Sequence, residues 1–346
     1  MMPNALVLTG GLLQTSDAKT AHGLIRESNR FHIVGFVDAL NAGKDAGEVL
    51  DGKKRNLPVF RCVNDAMHTQ PEYCVVGVAT TGGFFPESML EDIKVAIKNG
   101  LSIVNGLHDY LNERPEMLEL AKKHNVDLID IRRPKNRADL HFWTGDIKKL
   151  KTPIIAVLGT DCSLGKRTTT RFILKACSNH NIHAEMIYTG QTGWLQGGKY
   201  GFVIDSTLND FVGGEMEHAI LTCAKETNPD VILIEGQAAL RNPSGPCGSE
   251  MLISGNAKQV VLVHAPKRTY YEHEPSWGVI PDLESEIEII RLYGSKVIAI
   301  ALNTEDCTMD EALAFKKQFH EKYNIPVMLP LQEGCDGIIP IIQELR

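Results

Sequence analysis

Several things are scarce or missing in this 346-residue sequence, and each shortage excludes something. No apolar run reaches the roughly 20 residues that a membrane-spanning helix needs. The first residues enter a strand pattern directly, without the layout of a secretory leader. Positive charge is in deficit: 36 Lys and Arg face 43 Asp and Glu, for a net charge of −7, which argues against nucleic acid or an anionic membrane as the main partner. Eight cysteines include no Cys-x-x-Cys pair, and no His-x-x-x-His occurs, so structural zinc is not expected. Cys74, Cys177 and Cys223 fall inside apolar patterns and read as reduced core thiols of a cytoplasmic protein. Aromatics are only 6% of the chain; the composition otherwise is that of an ordinary globular protein. The length exceeds what one core usually serves, so two domains are expected.

What is present is concentrated in residues 153–170. An apolar run, Ile154 to Leu158, breaks at Gly159; a polar turn leads to Gly165 and Lys166, and three threonines open a helical pattern. Strand, glycine-bounded loop, lysine and helix form a phosphate-binding loop, in which backbone N–H groups and the helix N-terminus attract an anion and the lysine adds a full charge. The expected ligand-binding set is Gly159, Thr160, Asp161, Cys162, Ser163, Leu164, Gly165, Lys166, Arg167, Thr168 and Thr169. Two departures from the strict pattern stand out. Thr160 occupies the position five before Gly165, and Arg167 stands where a serine or threonine normally follows the lysine. Thr168 or Thr169, with Glu235, is the expected holder of a magnesium ion.

Along the chain, apolar strand patterns at residues 5–9, 31–38, 73–79, 101–105 and 126–131 alternate with helical ones. The alternation restarts at 153 and continues through 183–189, 202–204, 231–236, 260–264, 296–303 and 325–328. The fold class is therefore α/β: a Rossmann-like parallel-sheet domain at 1–135, a linker at 136–151, and a P-loop NTPase-like α/β domain at 152–346. Residues 43–54 read as a polar, glycine-rich loop. Asp38 ends the second strand, where a dinucleotide-binding acid would sit, but the first turn lacks Gly-x-Gly-x-x-Gly. Thr80 to Gly83 reads either as a second anion-binding turn or as a plain connection.

Ligands of open parallel sheets bind beyond the carboxyl ends of the strands. That rule gathers Thr160, Asp161, Gln191, Asp205, Glu235 and His264 at one expected crevice. Candidate proton-transfer groups are Asp205, Asp210, Glu235 and His264; Asp210 serves equally well as a helix cap. Gln191, Thr192, Gln237, Lys267 and Arg268 are the expected substrate contacts, since an arginine fork suits a carboxylate or phosphate. Tyr270, Tyr271, His273 and Trp277 form a lid or pack the loop.

The loop GTDCSLGKRTT at 159–169 resembles that of a bacterial and archaeal family long labelled only as a domain of unknown function. TGQTG at 189–193, Asp205, Asp210 with Phe211, and IEGQ at 234–237 recur there in the same order, and DIRRP at 130–134 resembles its interdomain segment. The resemblance covers nearly the whole chain. That family includes D-glutamate N-acetyltransferase, so the resemblance implies transfer of an acetyl group from acetyl-CoA to D-glutamate or a related amino acid, with the loop anchoring CoA phosphates. The loop is also similar to that of dethiobiotin synthetase, where threonine follows the lysine directly. Two other functions remain open. One is an ATP- and Mg2+-dependent kinase or ligase acting on a small carboxylate; the other is an NAD- or nucleotide-binding sensor resting on the N-terminal domain. A homo-oligomer with a small-molecule substrate is expected.

Overall fold

The computed structural model describes residues 2–346, which divide into two units. The first comprises Met1–Pro134 together with Gln191–Gly198; the second comprises Lys135–Gly190 and Lys199–Arg346.

The first unit holds six strands: β1 (Asn4–Leu8), β2 (His32–Val37), β3 (Val59–Phe60), β4 (Tyr73–Val76), β5 (Ser102–Asn105) and β6 (Leu128–Asp130). They form one sheet, ordered β3-β2-β1-β4-β5-β6, with every pairing parallel. This is the Rossmann order. Apolar clusters cover both faces, one around Leu6, Leu8, Met89 and Ile93, the other around Val7, Leu24 and Phe36. Two-sided burial explains why these strands read as continuous apolar runs and not as alternating ones.

The second unit holds β7 (Ile154–Gly159), β8 (Ala184–Tyr188), β9 (Tyr200–Gly201), β10 (Val231–Glu235), β11 (Gln259–His264), β12 (Lys296–Leu302) and β13 (Val327–Met328). Their order is β13-β12-β11-β7-β10-β8-β9, again all parallel. The chain reverses direction across the sheet at β7, which lies between β11 and β10. Register places Glu235 beside Val157 and Val263 beside Gly159. The loop leaving β7 is thus flanked by the ends of two neighbours at the switch point where such sheets bind ligands.

Residues 43–54 are not the loop that glycine content suggests. A helix runs over Ala46–Asp51, with Asp45 accepting from the N–H groups of Gly47 and Glu48 and Gly52 closing it in the left-handed region at φ 74°. Capping at both ends outweighs composition here. Residues 135–150 carry two short 3-10 turns, Arg137–Asp139 and Asp146–Lys149, and are held down by the long helix Asn209–Thr227. Its buried Glu215 accepts from the His141 N–H at 2.8 Å, and its buried Glu217 accepts from the N–H groups of Thr144 at 2.6 Å and Ile147 at 3.1 Å. No described helix is long and apolar enough to cross a membrane.

Candidate functional site

The loop after β7 turns through two left-handed residues, Ser163 (φ 54°) and Gly165 (φ 91°), before the helix Lys166–Asn179 begins. Glycine suits the second position because a Cβ resists that φ. Two further glycines shape the slot for the lysine. A Cβ on Gly159 would lie 3.1 Å from Lys166 Cδ; one on Gly236 would lie 3.0 Å from the same atom and 2.1 Å from the Val157 carbonyl oxygen. The lysine stem runs between these walls, and its Nζ donates to the Asp161 carbonyl at 2.6 Å. Burial lowers the Lys166 pKa to about 8. The same burial lifts the thiols of Cys162 and Cys247 to about 12, so neither is poised as a nucleophile.

Asp161 is fully buried and ties the loop to its surroundings. Its Oδ1 accepts from the Cys162 N–H and from Asn242 Nδ2; its Oδ2 accepts from Arg268 Nη1 at 2.8 Å and from the Glu272 N–H at 2.7 Å. Arg268 also donates to the Cys162 carbonyl and, through Nε and Nη2, to both carboxylate oxygens of Glu305. The substrate role expected for Arg268 would compete with these contacts; what the structure displays is a strut between the phosphate loop and Glu305. Lys267 is ion-paired with Glu311 at 2.6 Å near the surface.

Glu235 ends β10 as a buried carboxylate. Burial raises its pKa, while Arg167, the Thr189 N–H, Arg171 and Lys166 act in the opposite direction. Arg167 Nη1 stands 3.9 Å from Glu235 Oε1. Thr189 links this acid to the next motif: its N–H donates to Glu235 Oε2 at 3.3 Å, its hydroxyl donates to the Glu235 carbonyl, and Gln237 Nε2 donates to that hydroxyl at 2.8 Å. His264, at the end of β11, shares a 3.0 Å hydrogen bond with Thr160 Oγ1, and burial lowers its pKa to about 4, so the imidazole is neutral.

The structure therefore assembles Thr160, Asp161, Lys166, Arg167, Glu235, Gln237 and His264 around one loop. Other expected members have contacts of their own. Gln191 and Thr192 belong to the first unit, where Gln191 Oε1 accepts from Arg132 Nη2 at 2.9 Å and Thr192 shares a hydrogen bond with Thr20. Asp205 is exposed on a 3-10 turn over Ile204–Ser206. Asp210 is exposed in the first turn of its helix, where Leu208 holds the N-cap position, so a capping role for Asp210 is not what forms. Thr168 and Thr169 lie inside the helix, and Thr170 Oγ1 donates to the Lys166 carbonyl. Tyr271 is buried while Tyr270 and Trp277 stay part-exposed, so the aromatic run both packs and presents a surface. In the first unit, Asp38 is consumed locally by Thr9, Leu13 and Asn41, which leaves little of it for a ribose. The turn at 80–83 is tied down by the N–H groups of His108 and Asp109, which donate to the Gly83 carbonyl.

Sequence reasoning missed Asn242, Glu305 and Asn303, whose Nδ2 donates to the Leu164 carbonyl at 3.2 Å. Asn303 and Glu305 follow the end of β12, so the strand-end rule could have found them; nothing local marks Asn242. Among the described residues, the group whose donor atoms could share one cation is Asp161, Cys162 and Glu272, which belongs to the Asp161 network and does not include Glu235.

Comparison with known proteins adds an independent line. A family described as a domain of unknown function, the DUF1611 P-loop domain, matches residues 141–339, and its Rossmann-like N-terminal partner matches residues 40–134. A D-glutamate N-acetyltransferase of Pseudoalteromonas sp is 33% identical over 271 residues, spanning 77% of this chain and 79% of that protein. Another, from Tritonibacter scottomollicae, is 27% identical over 330 residues and spans 93% of each. A crystal structure of a DUF1611 family protein from Anabaena variabilis superposes with a TM-score of 0.90 at 26% identity, covering 99% of both chains.

Proposed function

This chain belongs to the DUF1611 family, and from that premise we propose that it transfers an acetyl group from acetyl-CoA to the amine of D-glutamate or a closely related amino acid. The observation that carries the reading is the likeness to two proteins named D-glutamate N-acetyltransferase, one of them spanning 93% of the chain. The site is compatible with it: a helix N-terminus and a buried lysine beside it are suited to the diphosphate of CoA.

In this reading the CoA phosphates lie on the N–H groups of the loop and on Lys166. The thioester then sits at the far end of the pantetheine arm, many bonds away. Glu235 and His264, pressed against the loop, are accordingly phosphate-side groups. The proton acceptor for the substrate ammonium is Asp205 or Asp210, both exposed. Once deprotonated, the amine attacks the thioester carbonyl carbon. The tetrahedral intermediate collapses with cleavage of the C–S bond, the electron pair leaves on sulfur, and the proton given up by nitrogen balances the departing thiolate. MgATP-dependent phosphoryl transfer asks for a hydroxyl directly after the lysine, and Arg167 holds that place.

Purified protein supplied with acetyl-CoA and D-glutamate should release free coenzyme thiol. Lys166→Ala should lower kcat/KM by roughly ten- to hundredfold, mainly through KM for acetyl-CoA. Of Asp205→Asn and Asp210→Asn, the one that removes the base should lower kcat with KM nearly unchanged. No thiol release with any D- or L-amino acid would sink the reading.

A further inference from the structure

We propose that Arg167 takes the place a magnesium ion holds in other phosphate loops, so that the site binds a diphosphate ester without a divalent cation and disfavours Mg-bound nucleoside triphosphates. The inference rests on the acetyl-CoA reading and deepens it by naming the charge chemistry of the same loop.

In a standard loop the serine or threonine after the lysine ligates Mg2+, and an acid at the end of a neighbouring strand positions the ion. Here the residue after Lys166 is an arginine, and its Nη1 lies 3.9 Å from Oε1 of Glu235, the strand-end acid. A cation drawn to Glu235 would sit beside a guanidinium, and at such separations like charges repel strongly. Arg171, one helical turn further on, also acts on Glu235. Glu235 is only 3% exposed, so solvent and salt screen this repulsion poorly. The first hydroxyl residue after the lysine, Thr168, is one residue further along the helix than the standard ligand, hence turned by about 100° around its axis. Residues expected to hold magnesium thus do not fit it.

What Arg167 offers instead fits a diphosphate. Its planar fork pairs with phosphate oxygens in a bidentate manner, which a lysine cannot do. The 3.9 Å separation from Glu235 is an electrostatic pairing longer than a hydrogen bond. The usual bridging task of magnesium, between β- and γ-phosphates, does not arise in CoA, which has no γ-phosphate.

Calorimetric titration of wild-type protein with acetyl-CoA, once in EDTA and once in MgCl2, decides the matter. The expected result is the same affinity in both. Arg167→Thr, which puts a hydroxyl directly after the lysine, should bind acetyl-CoA roughly ten- to hundredfold more weakly in EDTA and regain part of the loss with Mg2+. Arg167→Lys keeps a cation and should still bind in EDTA; if the threonine variant does not fold, this variant and the wild type carry the test. A wild-type affinity that falls about tenfold or more in EDTA overturns the inference while leaving the acetyltransferase reading intact. Failure of acetyl-CoA to bind in either buffer overturns that reading. Titration with inorganic pyrophosphate then decides the inference by itself: binding in EDTA supports it, and binding only with Mg2+ overturns it.

Discussion

At Lys166, burial works against the charge that the phosphate loop requires. The amine sits between two glycine walls, donates to a backbone carbonyl, and has its pKa lowered to about 8. A bound phosphate favours the charged form and raises that pKa again, so ligand binding above pH 8 must take up a proton. The sign follows: affinity for acetyl-CoA should be flat below about pH 8 and fall by up to about tenfold per pH unit above it. Titrations across that range would check this, and a proton uptake measured in buffers of different ionisation enthalpy should appear in the same window. A profile that stays flat through pH 10 would remove Lys166 as the titrating contact. The lysine and the two glycines nearest it in sequence were legible from the motif alone. Gly236 was not, because its purpose is the close approach of β7 and of a lysine stem some seventy residues earlier in the chain.

At the scale of elements, the phosphate loop is held by loops that follow three other strands. Asn242 comes from the segment after β10, Arg268 and Glu272 from that after β11, and Asn303 and Glu305 from that after β12; all reach the loop directly or through Arg268. Asp161→Asn should therefore loosen several elements at once. The amide cannot accept from all four donors, and Arg268 loses a fully buried counter-charge. Breaking such a pair costs about 3 kcal/mol, readable as a lower midpoint in urea unfolding, whereas a loss of only a few tenths would mean that Glu305 alone anchors Arg268. The long apolar strands were legible as runs of Val, Ile and Leu because parallel sheets bury both faces. The two-residue strand β3 carries too short a pattern to be seen, and the helix at Ala46–Asp51 lay under a polar, glycine-rich composition. Arg268 shows the limit for side chains. Its chemistry suits a ligand carboxylate and a protein carboxylate equally, and only the placement of Asp161 and Glu305 beside it tells which one it meets.

On the scale of the whole molecule, chain order and structural membership part company at Gln191–Gly198. This segment follows β8 of the second sheet yet belongs to the first unit. Leu195 is fully buried in the cluster with Leu24, Phe36 and Val7, Trp194 packs beneath the Arg30 guanidinium at 3.9 Å, and Gln196 Nε2 donates to the Gly23 carbonyl. Leu195→Ala should cost about 3 kcal/mol. Its signature in hydrogen exchange should be lost protection in β1 and β2 of the first unit, not in β7 and β10 of the second. Protection lost first around residues 154–159 would assign the segment to the other core.

The sequence by itself determined the two parallel sheets and the phosphate loop, since both depend on patterns local in the chain: apolar runs long enough to be buried on two faces, and a glycine–lysine turn opening a helix. Only the tertiary structure decided which polar groups face one another. Asp161 and Arg268 meet across more than a hundred residues, Gln191 joins Arg132, and Arg167 lies against Glu235. No local pattern encodes those pairings, because a charge or an amide in sequence carries no mark of the partner that the fold will bring to it.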